Sequence, residues 1–233
     1  GNTKLGKISL FGILATSTIE IGGGNSNTLY GNGNQVDFAS KIGIVGLNHF
    51  KQINNKSFIS STIGINYANT DQTGYATDRP TDSVFVKEVN EVAKISYNIS
   101  TIYHSKINSR LFFKAGIQDE IIGLNLYYKS KERIFDDYRQ IWDYNSSTNL
   151  AQAFVHFKYS ITEKLTLNAG LHAQLLFLNN STSIEPRVGL IYNATSNSSF
   201  NFGYGLHSQM QPINVYFLQS TDASGNTIYN NKI

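Results

Sequence analysis

From Leu165 to Phe177 the chain alternates almost without error. Leu165, Leu167, Ala169, Leu171, Ala173, Leu175 and Phe177 fall on one side; Thr166, Asn168, Gly170, His172 and Gln174 fall on the other. Successive strand side chains point to opposite faces, so this is a β-strand with one apolar and one polar face. It outruns the usual soluble strand of about five or six residues. It suits instead the tilted strand that crosses a bilayer, about nine to eleven residues.

The same period recurs along the chain, and long amphipathic helices are absent from the pattern. Strands are predicted at about 4–18, 37–52, 57–69, 84–103, 110–129, 149–161, 165–177, 184–193 and 198–208. Tight turns join some of them, at Asn54-Asn55-Lys56, Lys106 to Ser109, Thr162-Glu163-Lys164 and Ala194 to Asn197. Between the others, long loops are expected over Glu20–Val36, Thr70–Asp82 and Ser130–Thr148, with a polar tail from Gln209 to Ile233. In the first strand Ile8, Leu10 and Ile13 are apolar, with a break at Gly12. In the fifth the apolar phase slips, from Leu111, Phe113, Ala115 and Ile117 to Ile122, Leu124, Leu126 and Tyr128. A bulge near Asp119-Glu120 would account for that slip.

Long and short connections in alternation belong to an up-and-down membrane barrel, with short periplasmic turns and longer external loops. The fold expected is all-β: an antiparallel transmembrane β-barrel, of which this chain supplies about nine or ten strands. Tyr103, Tyr128, Tyr159 and Tyr192, near strand ends, suit interfacial aromatic girdles. A soluble β-sandwich also has alternating strands, but shorter ones and without systematic loop asymmetry. Charge supports the barrel. An outward Arg or Lys at mid-bilayer costs about 2–4 kcal/mol, and Lys114, Lys158 and Arg187 all take the opposite parity. Glu91 is the exception, toward a loop end. Nine strands leave two unpaired edges, each backbone group costly in hydrocarbon, so an interior segment of a larger barrel is expected, or a partly traced chain.

Composition narrows the chemistry. No residue is Cys, which removes disulfides and thiolate sites. A net charge of +3, spread without basic runs, gives no nucleic-acid patch. Gly22-Gly23-Gly24 lacks the Lys-Ser/Thr of a phosphate loop, and Asp119-Glu120 and Asp136-Asp137 lack calcium-loop spacing. No Ser–His–Asp set or nucleophile elbow appears, so neither enzyme activity nor a cofactor is expected. Gln152, His156, Lys158, Asn168, His172, Gln174 and Arg187 share the polar parity and are expected to face the lumen and whatever fills it. His156 and His172 would be opposite or one diagonal step apart, but a metal needs further ligands, and none is expected. The connection holding Arg133, Tyr138, Arg139, Trp142, Asp143 and Tyr144 mixes arginine and aromatics, a surface suited to sugars, chelates or peptides. The same loop could equally fold over the barrel mouth with its aromatics on its own backbone.

At Ser183-Ile184-Glu185-Pro186-Arg187-Val188-Gly189-Leu190-Ile191-Tyr192, then Phe202-Gly203-Tyr204-Gly205-Leu206-His207-Ser208-Gln209, the chain resembles TonB-dependent outer-membrane receptors. The nearest look-alikes are Bacteroidetes-type receptors with a carboxypeptidase-regulatory-like domain. Leu29-Tyr30-Gly31 and Gly46-Leu47-Asn48-His49 also resemble that family's barrel. The resemblance implies a barrel of about 22 strands in the bacterial outer membrane, plugged by an N-terminal domain. It implies active import of a scarce nutrient (siderophore, glycan or peptide), powered through TonB, ExbB and ExbD. Neither plug nor TonB box is legible in residues 1–233, so that contact would run through a plug domain absent from them. An outer-membrane lipoprotein partner stays open. So do two other barrel functions: a passive porin, and a structural or interaction subunit of a larger outer-membrane complex.

Overall fold

A computed structural model of the chain describes residues 5–22, 35–78, 80–217, 219–221, 224 and 227–229. Nine strands form one antiparallel sheet in simple chain order: β1 (Lys7–Gly22), β2 (Gln35–Asn54), β3 (Ser57–Asp78), β4 (Ser83–Lys106), β5 (Leu111–Ser130), β6 (Arg139–Ser160), β7 (Leu165–Leu176), β8 (Ser181–Thr195) and β9 (Ser198–Gly205). A 3-10 turn at Ile213–Phe217 and a small ladder of β10 (Gln219–Thr221) with β11 (Thr227–Tyr229) follow. Among the described residues there is no α-helix, and the sheet does not close: β1 and β9 are both edges.

The expected elements are present; at the loop end β1 to β6 and β8 run longer than expected, while β7 and β9 stop short of the expected 177 and 208. At the turn end the hairpins fall where the turn residues put them, each held by a side-chain oxygen that accepts a backbone N–H two or three residues on. Asn54 Oδ1 accepts from Lys56 N at 2.8 Å, Asn108 Oδ1 from Arg110 N and Leu111 N at 2.9 Å each. Thr162 Oγ1 accepts from Leu165 N at 3.0 Å, and Thr195 Oγ1 from Asn197 N at 3.2 Å. At the loop end most of the expected loop is strand. β3 runs on to Asp78 and β4 begins at Ser83, so among the described residues only 80–82 of the loop expected over Thr70–Asp82 lie outside the strands. β6 begins at Arg139, which leaves 131–138 of the loop expected to Thr148. The ladder continues because the backbone groups still find partners across the strands, with Asn145 opposite Asn125 and Asp71 opposite Glu91. The Glu20–Val36 loop, Gly22-Gly23-Gly24 and Leu29-Tyr30-Gly31 lie largely or wholly outside the described residues.

Two register expectations are corrected. Asp119 and Glu120 carry no bulge, for both ladders of β5 run through them without a shift, Ile99↔Asp119↔Ala151 and Asn98↔Glu120↔Leu150. The phase slip is a real change of face. Leu111, Phe113, Ala115 and Ile117 sit on one side of the sheet; Ile122, Leu124 and Leu126 sit on the other. Likewise β1 pairs continuously through Gly12, so Ile8 and Leu10 face one way and Ile13 the other.

The two faces differ in what covers them. One is bare. Its apolar belt crosses all nine strands in the turn-end half, through Leu10, Leu47, Ile63, Ile99, Ile117 and Val155 to Leu171, Leu190 and Phe202, each at least 36 % exposed. The belt is nine to eleven residues deep on most strands, from Ile59 to Tyr67 or Leu165 to Leu175. The other face is covered at its loop end. After β9 the chain folds back across it: Ser208 N donates to Glu185 Oε1 at 3.0 Å, and Ile213 and Tyr216 reach Leu124 and Leu126 on β5. Ser96, Ile122, Leu124, Leu126, Leu150, Leu176 and Glu185, all 8 % exposed or less, share this covered face. The tail expected as a polar connection is thus, in its first part, a return segment that seats on the sheet. No second sheet packs on the bare belt among the described residues.

Candidate functional site

Strand alternation brings the seven predicted lumen-side residues onto the covered face together. Cross-strand neighbours include Gln152 with Gln174, Lys158 with Asn168, and Arg187 with Gly170. His156 and His172 are diagonal neighbours, opposite Gly170 and Phe154 respectively. Among the described residues no three His, Asp or Glu converge as metal ligands.

The centre of the network is a residue that sequence reading passed over, Glu185. The run Glu185-Pro186-Arg187 places Pro186 on the bare face and both charges on the covered one, two residues apart and so side by side. Arg187 Nη2 donates to Glu185 Oε2 at 2.5 Å, and His172 Nδ1 lies 3.3 Å from the same oxygen. An ionised carboxylate only accepts, so His172 carries its hydrogen on Nδ1 in this contact. Oε1 accepts from Ser183 Oγ at 3.1 Å, from Ser208 N at 3.0 Å and from the Ser208 hydroxyl. Gln174 Nε2 donates to Ser208 Oγ at 2.8 Å, and Gln152 Nε2 reaches Gln174 Oε1 at 3.5 Å. A carboxylate only 4 % exposed is tolerable because every lone pair has a donor. Pro186 sits where it costs least. The β8–β9 ladder ends here: Leu206 N still donates to Pro186 O at 3.0 Å, and Pro186 has no N–H to return the bond, so only the last half-pair is lost. Chemically this arrangement is a clamp: it ties the return segment, through Ser208, to β7 and β8. The spacing of Glu185 and Arg187 was the available signal; Ser208, 23 residues away, had none.

Beside the clamp, toward the turn end, lies a cleft of about 580 Å³ lined by Lys114, His156, Asn168, Gly170, Arg187 and Gly189 among others. Lys114 Nζ rests 5.4 Å from the centre of the Phe154 ring.

The six residues of the predicted ligand loop are not gathered into one surface. Arg139, Trp142, Asp143 and Tyr144 belong to β6. Trp142 and Tyr144 are on the covered face, where Trp142 packs on Tyr128 with ring centroids 5.4 Å apart and Tyr144 joins the Leu124–Leu126 cluster. Asp143, between them, faces the other way. Tyr138 is tied to the wall: its hydroxyl donates to Val86 O at 2.8 Å, and Lys129 and Lys131 lie 4.7 and 4.9 Å from its ring centre. Arg133 begins a tight turn in which its N–H donates to Asp136 Oδ2 at 3.0 Å. Phe135 at the tip is 87 % exposed.

No protein-family model matches the chain, and no curated protein matches it.

Proposed function

We propose that the chain is part of the wall of a transmembrane β-barrel in a bacterial outer membrane. On the resemblance carried by 183–192 and 202–209, we propose further that the barrel is a TonB-dependent importer of a scarce nutrient. One observation carries the membrane reading: an apolar belt that crosses all nine strands, broken on β5 by Asp119 opposite Ile99, about as deep as the hydrocarbon core requires on most strands, with nothing packed against it. A patch of that extent on a water-soluble protein would be an aggregation surface; in a bilayer acyl chains solvate it. The face opposite supports a lumen, since it holds Lys114, Lys158, Arg187 and Glu185, which lipid would not accept. The open edges at β1 and β9 then pair with further strands of the same wall. Import, rather than passive flow, is supported by the return segment, whose Ile213 and Tyr216 pack on Leu124 and Leu126 and so cover the charged face at its loop end.

The test uses the full-length protein in its own bacterium. It should fractionate with the outer membrane, and growth on its limiting nutrient should fail when either it or TonB is deleted. Steady conductance in planar bilayers with TonB-independent uptake would replace import by porin function. Recovery in the aqueous phase without detergent would end the membrane reading.

A further inference from the structure

We propose that the covered face holds an oxyanion-binding cleft for a small solute bearing phosphate or carboxylate groups, with Lys114, His156 and Asn168 as donors over a glycine floor at Gly170 and Gly189, and Lys158 beside it in the adjoining cleft. The inference goes beyond the import reading and does not depend on it. Two adjacent rows across the sheet define the site. One runs Lys114, His156, Gly170, Arg187; the next runs Phe112, Lys158, Asn168, Gly189, Gly203. Side chains thus rise at the β5–β6 side and at Asn168, while Gly170 and Gly189 present bare backbone between them and Arg187. A Cβ at Gly170 would lie 3.1 Å from Val155 O and 3.5 Å from the His156 ring, so a larger side chain there would fill the floor.

Charge argues for the class of ligand. Like charges on neighbouring strand positions repel, and Lys114 and Lys158 flank His156 on one face. Among the described residues neither lysine makes an ion pair. Glu185, the acid beside Arg187 on this face, has both oxygens committed to Arg187, His172, Ser183 and Ser208, and offers the lysines nothing. A second cleft of about 340 Å³ adjoins the first at Lys114 and His156 and adds Lys158, Lys56, Lys106 and His104. The backbone N–H groups of the floor are engaged in the ladder, so recognition falls to the side chains, which are all donors or cations. The volume suits a small molecule. From Lys114 to Arg187 is three inter-strand steps, about 14 Å, a span that favours a solute with more than one anionic group.

Titration calorimetry on the full-length protein in detergent tests this, with pyrophosphate and citrate as probes and glucose as the neutral control. Saturable binding of pyrophosphate or citrate is expected, weakened by added salt, and the tighter of the two assigns phosphate or carboxylate. Lys114→Gln and Lys158→Gln should each weaken it by about tenfold or more, Lys114→Arg should largely keep it, and Lys51→Gln, on the bare-face parity, should leave it unchanged. Gly170→Leu changes no charge and should abolish binding with circular dichroism unaltered, so two unrelated variants bear on the result. No saturable heat with either anion in the wild-type protein, or equal affinity in the Lys114→Gln/Lys158→Gln double variant, overturns the proposal.

Discussion

Arg187 Nη2 meets Glu185 Oε2 at 2.5 Å behind Pro186, and the same carboxylate holds Ser208 of the return segment by its backbone N–H. One strand therefore supplies both the charge pair and the anchor for chain that arrives 23 residues later. Replacing Glu185 by Gln keeps the shape and removes the acceptor charge that organises five donors. Limited proteolysis read by mass spectrometry should then cut within 206–217 roughly ten times faster, while cleavage elsewhere is unchanged. Equal protection in wild type and variant would show that the clamp does not hold the segment.

The belt should discriminate sharply between the two faces of one strand. Leu171→Arg puts a cation on the bare face at mid-belt and should cost about 2–4 kcal/mol of folding free energy in a bilayer. Asn168→Arg, three residues away on the covered face, should cost well under half of that. Denaturant titrations of the full-length protein refolded into lipid vesicles give both numbers. Similar costs at the two sites would remove the lipid from the description.

The Leu124–Leu126 cluster makes a separate claim, since it sits on the covered face under the return segment. Leu124→Ala should cost about 2–5 kcal/mol as a buried truncation. Combined with Ile213→Ala it should cost less than the sum, with a coupling of at least about 0.5 kcal/mol in a double-mutant cycle. Strict additivity would mean that the two do not touch.

Asn108 Oδ1 accepts two backbone N–H groups in the β4–β5 turn, from Arg110 and Leu111. Asn108→Ala should lower stability by about 1–2 kcal/mol, near the net worth of the two bonds. Asn108→Asp, which keeps the acceptor, should restore most of it in the same titration.

What could be read in advance followed the belt. Where a strand lies within it, apolar and polar residues alternate, and β7 was placed to within a residue. Beyond it, over 69–74 of β3, both faces turn polar and the period vanishes from the letters, although the ladder goes on; Asp71 opposite Glu91 is strand by pairing, a property no single segment displays. The Ile117-to-Ile122 slip shows the same limit. It looked like a bulge because a bulge is the local way to shift phase. Its cause is distant: Ile213 and Tyr216 supply apolar cover on the second face, just past the level where the first face admits Asp119. The polar set from Gln152 to Arg187 was legible through parity alone, whereas Glu185 gained its role from Ser208, which strand periodicity cannot connect to it.

β3 and β4 climb well past the top of the belt, to Asp78 and from Ser83. Ten or so residues of doubly bonded ribbon at about 3.3 Å each give a rampart rather than a fringe. Whatever docks on that side meets a rim whose stature is set by rigid backbone, and shortening the hairpin by matched pairs of residues lowers the parapet without disturbing the wall beneath.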